Sequence, residues 1–312
     1  MADFSEYSDK VKLLLEVLPL INEHDCFALK GGTAINLFVR NMPRLSVDID
    51  LTYLPLENRQ SSLVNIASKL RIISQKILDM SNGAYQISEL VNPQENMADS
   101  LRIYGNGTYI IMEVNPVVRG SVFECETRAL CKAAQDQFFQ AQNIKTLSIA
   151  DLYGGKICAA LGRHKPRDLF DVMFLLENEG ITEEIRQALI IYVASVSRPM
   201  HELFCRTPNL DNLRRDFDSD LAGMTVDKIS CSQLEDVMHI LIKQVLADLT
   251  TNERKFLLSI KHGEPDWQLL PIPGIEKLPG IQWKLLNINK LKKANPSKYQ
   301  EALGNLKKTL AL

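Results

Sequence analysis

No apolar run in this chain approaches the ~20 residues that a helix needs to cross a bilayer. The N-terminus, Met1-Ala2-Asp3-Phe4-Ser5-Glu6, is acidic and carries no basic segment ahead of an apolar one. Neither a membrane span nor a secretory leader is therefore expected. The six cysteines (Cys26, Cys125, Cys131, Cys158, Cys205 and Cys231) nowhere form a C-x-x-C pair. That argues against structural zinc and for reduced thiols in a cytoplasmic protein. The five histidines (His24, His164, His201, His239 and His262) are dispersed without metal-ligand spacing. Ser195 and Ser197 lack any nucleophile setting, so a hydrolase reading has no support. A formal charge of −2 excludes a generally basic nucleic-acid binder, although local patches matter more than the total. Internal repeats and low-complexity tracts are missing too. What is left, at 312 residues, 46% hydrophobic and 24% charged, is an ordinary soluble globular chain of one large or two modest domains.

Chemistry is concentrated in residues 30 to 51. In Ser46-Val47-Asp48-Ile49-Asp50-Leu51 apolar residues take every second place. Side chains alternate across a strand, so Val47, Ile49 and Leu51 can face a core while Ser46, Asp48 and Asp50 share the other face. Two carboxylates so placed repel each other unless a cation sits between them. Magnesium, with its preference for oxygen ligands, waters and phosphate, is the natural candidate, and manganese can stand in its place. An isolated Asp-x-Asp is more often two solvated aspartates, but this pair has a particular approach. Phe27 to Lys30 reads as a short buried strand, and Gly31-Gly32-Thr33 follows it. Glycines between a strand and a helix let backbone come close to an anion, and a helix start favours phosphate. Thr33 is the expected cap of a short helix from Ala34 to Arg40, ended by Met42-Pro43.

The run of Gly-Gly-Thr-Ala, then Arg44-x-Ser46-x-Asp48-Ile49-Asp50-Leu51, resembles the first motif of the AbiEii/AbiGii toxin family. That family lies within the nucleotidyltransferase superfamily and supplies the toxins of type IV toxin–antitoxin and abortive-infection systems. The resemblance spans roughly residues 25 to 180. It implies an α+β chain: an N-terminal nucleotidyltransferase-fold domain, a small mixed β-sheet flanked by helices, followed by a mainly helical C-terminal domain.

A site of this kind usually needs a third carboxylate. Leu101 to Asn115 reads as a hairpin turning at Gly105-Asn106-Gly107, with Glu113 inside its second strand. The similar fold places an acid there as metal ligand and, in many members, as base for the attacking hydroxyl. A partly buried glutamate bonded to a neighbouring strand or loop is the competing reading. Asn115 to Gly120 also resembles the family, and Arg119 either holds substrate phosphate or pairs with a surface acid.

The second block runs from Asp151 to Leu176. Lys156 opens an apolar helix, Arg163-His164-Lys165-Pro166-Arg167 forms a basic knot, and Pro166 suits the first turn of a second helix. Asp168 and Asp171, three apart, share one helical face. An acid near a helix start also suits the dipole, which is the purely structural account of Asp168. The Lys plus Arg-Asp-x-x-Asp pattern resembles the family's second signature. There the lysine contacts the triphosphate, and an aspartate of the cluster is needed for activity. The resemblance thus assigns the metal to Asp48, Asp50 and Glu113, and the catalytic set to these with Lys156, Asp168 and Asp171. Nucleotide binding falls to Gly31, Gly32, Thr33, Ser46, Lys156 and Arg167.

The expected division is 1–125 for the nucleotidyltransferase core, 126–262 for a helical domain completing the site, and 263–312 for a connector and basic tail. Helices are expected over 8–24, 57–80, 127–141, 148–161, 167–178, 182–197, 232–249 and 251–260, with strands near 85–90, 101–104 and 109–115. The last 33 residues hold seven lysines and one glutamate, with Trp283 and Tyr299 among them. Such a tail could grip RNA phosphate and stack on a base, though a solvated helix is the commoner meaning. The expected activity is magnesium-dependent transfer of a nucleoside monophosphate from a nucleoside triphosphate to an acceptor hydroxyl. The resemblance implies RNA such as a tRNA 3′ end as acceptor, and a cognate antitoxin as partner. The alternatives are a small-molecule or protein acceptor, or a nucleotide-binding protein without turnover.

Overall fold

The computed structural model describes residues 5–93, 95–204 and 210–312, so Cys205 lies outside the described residues. The chain forms two compact units, Met1–Ser148 with Leu221–Lys228, and Ile149–Asp220 with Ile229–Leu312.

The first unit is built on a seven-stranded mixed sheet of order β3-β4-β5-β2-β1-β7-β6. Its elements are α1 (Ser5–Asn22), β1 (Phe27–Lys30), α2 (Gly31–Ala34), β2 (Asp48–Tyr53), α3 (Arg59–Met80), β3 (Gln86–Asn92), β4 (Met97–Gly105), β5 (Thr108–Val114), β6 (Glu126–Ala129), α4 (Lys132–Phe138) and β7 (Asn143–Thr146). β2 runs antiparallel to β1 and parallel to β5. β3, β4 and β5 form an antiparallel meander. The turn between β4 and β5 is Asn106-Gly107, both at positive φ (54° and 76°), which matches the right-handed twist of a two-residue hairpin loop.

Alternation decides the faces, as the sequence leads one to expect. Ile49 and Leu51 of β2, Ile110, Met112 and Val114 of β5, and Leu101 and Ile103 of β4 are buried. They face α1 and α3, whose Val11, Leu14, Leu15, Leu18, Ile66, Leu70, Ile73 and Ile77 are buried in turn. The intervening residues, including Asp48, Asp50, Glu113, Arg102, Tyr104 and Tyr109, fall on the opposite face.

The helix expected over 127–141 is instead β6 and the short α4, with β7 following. Glu126–Ala129 pairs antiparallel with Asn143–Thr146, and Leu130 N–H donates to the Gln142 carbonyl. Sheet pairing and burial of Leu130 and Ile144 override local helical preference here. The boundary expected at 125 therefore falls inside the first unit, just before β6. The segment 221–228 joins the same unit because Leu45 N–H donates to the Met224 carbonyl and Val226 N–H to the Pro43 carbonyl.

The second unit is helical: α5 (Ile149–Arg163), α6 (Pro166–Glu177), α7 (Glu183–Val193), α8 (Met200–Leu203), α9 (Asp211–Leu221, shared at its end with the first unit), α10 (Cys231–Asp248), α11 (Thr251–His262), α12 (Pro279–Ala294) and α13 (Pro296–Leu310). Capping boxes start α10 (Ser230 with Gln233) and α11 (Thr250 with Glu253). Among the described residues no helix is long and apolar enough to cross a membrane.

Candidate active site

On the face of the sheet opposite α1 and α3 the pairing register puts the acids in one row. Asp50 of β2 lies opposite Glu113 of β5 on one side and Lys30 of β1 on the other. Asp48 stands two residues before Asp50 on the same face. Asp48 and Asp50 are half-buried and Glu113 is exposed. Neither Asp50 nor Glu113 accepts a hydrogen bond or forms a salt bridge among the described residues. The Glu113 carboxyl is pushed above the usual glutamate range, first by the protein crowded around its head and then by the charge on Asp50. Asp99 and Asp48 push the same way, and Lys30 opposes them.

Gly31 is fixed by this row. It holds a positive φ of 72°, and a Cβ there would lie 2.3 Å from Asp50 Oδ2. Gly32 is walled in on its other side, where a Cβ would lie 2.6 Å from Arg44 Nη2 and 2.9 Å from Ser46 Oγ. The helix begins at Gly31, with Lys30 in the capping position, so Thr33 is not its cap. Instead the buried Thr33 hydroxyl donates to the Asp48 carbonyl at 2.6 Å and lies 3.0 Å from Ser46 Oγ. Thr33 and Ser46 thus tie the glycine turn to the start of β2. After Ala34 the helix widens to a π-helical turn over Ile35–Val39, a form that recurs at functional sites.

The second unit holds the other charged cluster. Lys156 Nζ lies 3.0 Å from Asp168 Oδ1 and 2.9 Å from Asp171 Oδ2, with all three side chains less than a tenth exposed. Arg163 grips Asp168 from outside with two bonds, Nε at 2.5 Å and Nη2 at 3.0 Å. Burial alone would raise the Asp168 carboxyl, but Lys156 and Arg163 outweigh it and hold the group well below the usual carboxylate range. Pro166 opens α6, as its fixed φ suits, and Asp168 sits in that first turn. Arg167 is half-buried beside it. The sequence marked Arg163 only as one member of a basic run; five residues separate it from Asp168 across a turn, a relation no helical spacing rule exposes. Asp151, which accepts from the Tyr192 hydroxyl at 3.0 Å, was likewise not foreseen as a buried acid.

Two expectations look different in place. Arg119 pairs with no surface acid: it is 4% exposed, and its Nε and Nη1 are buried without a partner among the described residues. Burial, then the neighbouring charge of Arg59, pushes it down. In the tail, Tyr299 is buried and its hydroxyl donates to the Lys261 carbonyl, so it is not offered to a base. Lys284 is buried as well and donates to the Val196 and Arg198 carbonyls.

Among the described residues no group of three or more His, Cys, Asp or Glu side chains is placed to hold a metal ion. The donor chemistry of the row nonetheless fits a hard divalent cation. Asp48, Asp50 and Glu113 offer only carboxylate oxygens, and burial, then the charge of Asp50, already raises Glu113. Such an ion usually keeps waters and substrate phosphate oxygens in its shell.

Comparison with known proteins bears on this arrangement. The solved structure of MenT4, a nucleotidyltransferase toxin from Mycobacterium tuberculosis H37Rv, superposes with a TM-score of 0.56 at 13% identity, covering 97% of this chain and 93% of that one. At such identity the likeness is one of fold. No curated protein sequence matches. The family description "Nucleotidyl transferase AbiEii toxin, Type IV TA system" matches residues 12–273, which include the glycine turn, the acidic row and the Lys156 cluster. The chain belongs to the AbiEii nucleotidyltransferase toxin family.

Proposed function

We propose that the protein transfers a nucleoside monophosphate from a nucleoside triphosphate to a hydroxyl of RNA, such as a tRNA 3′ end. The observation that carries this reading is the row of Asp48, Asp50 and Glu113 on adjacent strands, with Gly31 pressed against Asp50. Asp48, Asp50 and Glu113 would hold magnesium, or manganese, which when bound neutralises phosphate charge and lowers the pKa of an acceptor hydroxyl. The amides of the first helical turn, Gly31 to Thr33, have no partner within the helix and suit a phosphate. Glu113, raised above the usual carboxylate range, is suited to take the acceptor's proton. The acceptor oxygen then bonds to the α-phosphorus, the bond from that phosphorus to the β-bridging oxygen breaks, and pyrophosphate leaves. Lys156, the lysine of the family's second signature, would meet triphosphate charge, with Asp168 and Asp171 against its ammonium. Those aspartates, with Arg163 behind Asp168, hold the ammonium in place, and Arg167 adds a second cation. A cognate antitoxin is the partner that goes with a type IV toxin.

The test is incubation of the purified protein with magnesium, each labelled triphosphate in turn, and total tRNA, a metabolite extract or a protein mixture. Label on RNA 3′ ends that disappears in Asp50→Asn supports the reading. Label confined to small molecules or protein removes RNA as the acceptor, and no label in any pool removes the activity.

A further inference from the structure

The face that carries the acidic row does not end at Glu113. Along β5, Ile111 and Tyr109 continue it, and across the hairpin Tyr109 is paired with Tyr104 and Ile111 with Arg102. The two tyrosine rings stand 5.6 Å apart, and the residues are 37% and 42% exposed. Two cations lean on this pair: Lys10 Nζ lies 5.0 Å and Arg102 Cζ 5.5 Å from the Tyr109 ring centre. Neither cation is salt-bridged among the described residues, and Arg102 Nε is buried without a partner. Exposed aromatics are ordinary when scattered singly. A facing pair flanked by two unneutralised cations, in line with catalytic acids, is not scattered.

We propose that Tyr104 and Tyr109, with Arg102 and Lys10, form the platform for the acceptor strand, a single-stranded RNA segment leading its 3′ hydroxyl to Glu113. This rests on the transfer reading above and names where the acceptor lies. The argument is one of complementarity and continuity. A nucleotide presents a π face and an anionic phosphate together, which is the pairing that exposed tyrosine rings, tilted 46° to each other, and cations without a carboxylate partner recognise. Four residues of strand separate Tyr109 from Glu113, about 13 Å along one face. A strand lying on the tyrosines therefore points its end at the acids, over the half-exposed Ile111. The hairpin also explains why the platform is rigid: its two-residue loop and continuous register fix both rings without help from a ligand. A folded protein acceptor would need an apolar or shape-matched surface, whereas this face offers two tyrosine rings and charge.

The decisive experiment uses the full-length chain and two readouts. Binding of a fluorescent single-stranded RNA ending in a 3′ hydroxyl is followed by anisotropy without triphosphate, and nucleotide addition to the same RNA is followed with labelled triphosphate. Loss of base stacking should weaken RNA binding in Tyr104→Ala/Tyr109→Ala by roughly 5- to 150-fold. The KM for RNA should rise in step while the KM for triphosphate holds within about twofold. Tyr104→Phe/Tyr109→Phe keeps the rings and should restore binding, which a merely unfolded variant would not do. Arg102→Gln should weaken binding and flatten its salt dependence. Wild-type RNA binding in the double alanine variant, or RNA transfer with an unchanged KM, overturns the platform while leaving the transferase reading standing. Binding lost in the alanine variant and kept in the phenylalanine one supports the platform even if no nucleotide is added, a result that would sink only the transfer to RNA. Label appearing on protein acceptors and unaffected by either variant overturns it.

Discussion

The acidic row of the sheet and the lysine knot of the helical unit make opposite use of charge. In the row, carboxylates face one another, Asp50 and Glu113 form no salt bridge among the described residues, and Glu113 is driven up, first by burial and then by the charge of Asp50, against Lys30. In the knot, two buried carboxylates share one buried ammonium and one outer guanidinium, and Asp168 is driven down. A surface that tolerates unbalanced charge is arranged for something that arrives. A cluster that balances its own charge is arranged to hold a group still, and here that group is Lys156.

Substitution should separate the two regions sharply. Asp48→Ala or Asp50→Ala should lower nucleotide transfer by roughly 10²–10³-fold or more, as loss of a group stabilising developing charge does. The melting temperature should not fall, because a repulsion has been removed. A melting temperature that dropped along with activity would place these aspartates in the fold rather than the chemistry. Lys156→Met should do the reverse in stability, costing about 3–5 kcal/mol in urea unfolding by leaving Asp168 and Asp171 buried without their cation. An unchanged midpoint would show that the knot is open to water and not a positioning device.

Gly31→Ala should come next, at about 1–2 kcal/mol for a side chain at positive φ, with a loss of transfer as Asp50 is displaced from the 2.3 Å approach. Full activity in Gly31→Ala would mean that the turn relaxes without moving the row. The smallest effects are those of pH, and they differ in sign. Asp168 is depressed in the folded state, so its contribution is present above its unfolded value, about 3.9, and is lost as acid protonates it. Asp168→Asn should therefore destabilise near neutrality, with the difference from wild type shrinking at low pH. Glu113 is raised, so its charged form weakens the fold above its folded value and the penalty vanishes on protonation. Glu113→Gln should be neutral to slightly stabilising at pH 7 and abolish transfer. Matching pH slopes for the two variants would erase the distinction between the regions.

The parts of this design that depend on local pattern were readable in advance. Alternation in 46–51 placed Asp48 and Asp50 on one face, Asn106-Gly107 announced the hairpin, and Pro166 announced α6. The parts that depend on distant partners were not. β6 and β7 are four residues each, too short to show a period, and exist because they pair with each other and with β1. The polar stretch Asp211–Leu221 gave no reason to expect α9. Thr33 looked like a cap because the sequence does not reveal that Gly31, at positive φ, starts the helix three residues before Ala34. The tail looked available because nothing in a lysine-rich run discloses that Tyr299 and Lys284 are packed inside.

The short strip 221–228 carries a consequence for the making of the protein. It closes the lead-in to β2 through the Pro43 and Leu45 bonds, yet it is synthesised long after every strand of the sheet. A nascent chain therefore carries all three acids on its strands before the segment bonded to Pro43 and Leu45 has been made. Completion of the first unit thus waits on residues that follow most of the helical unit in the sequence.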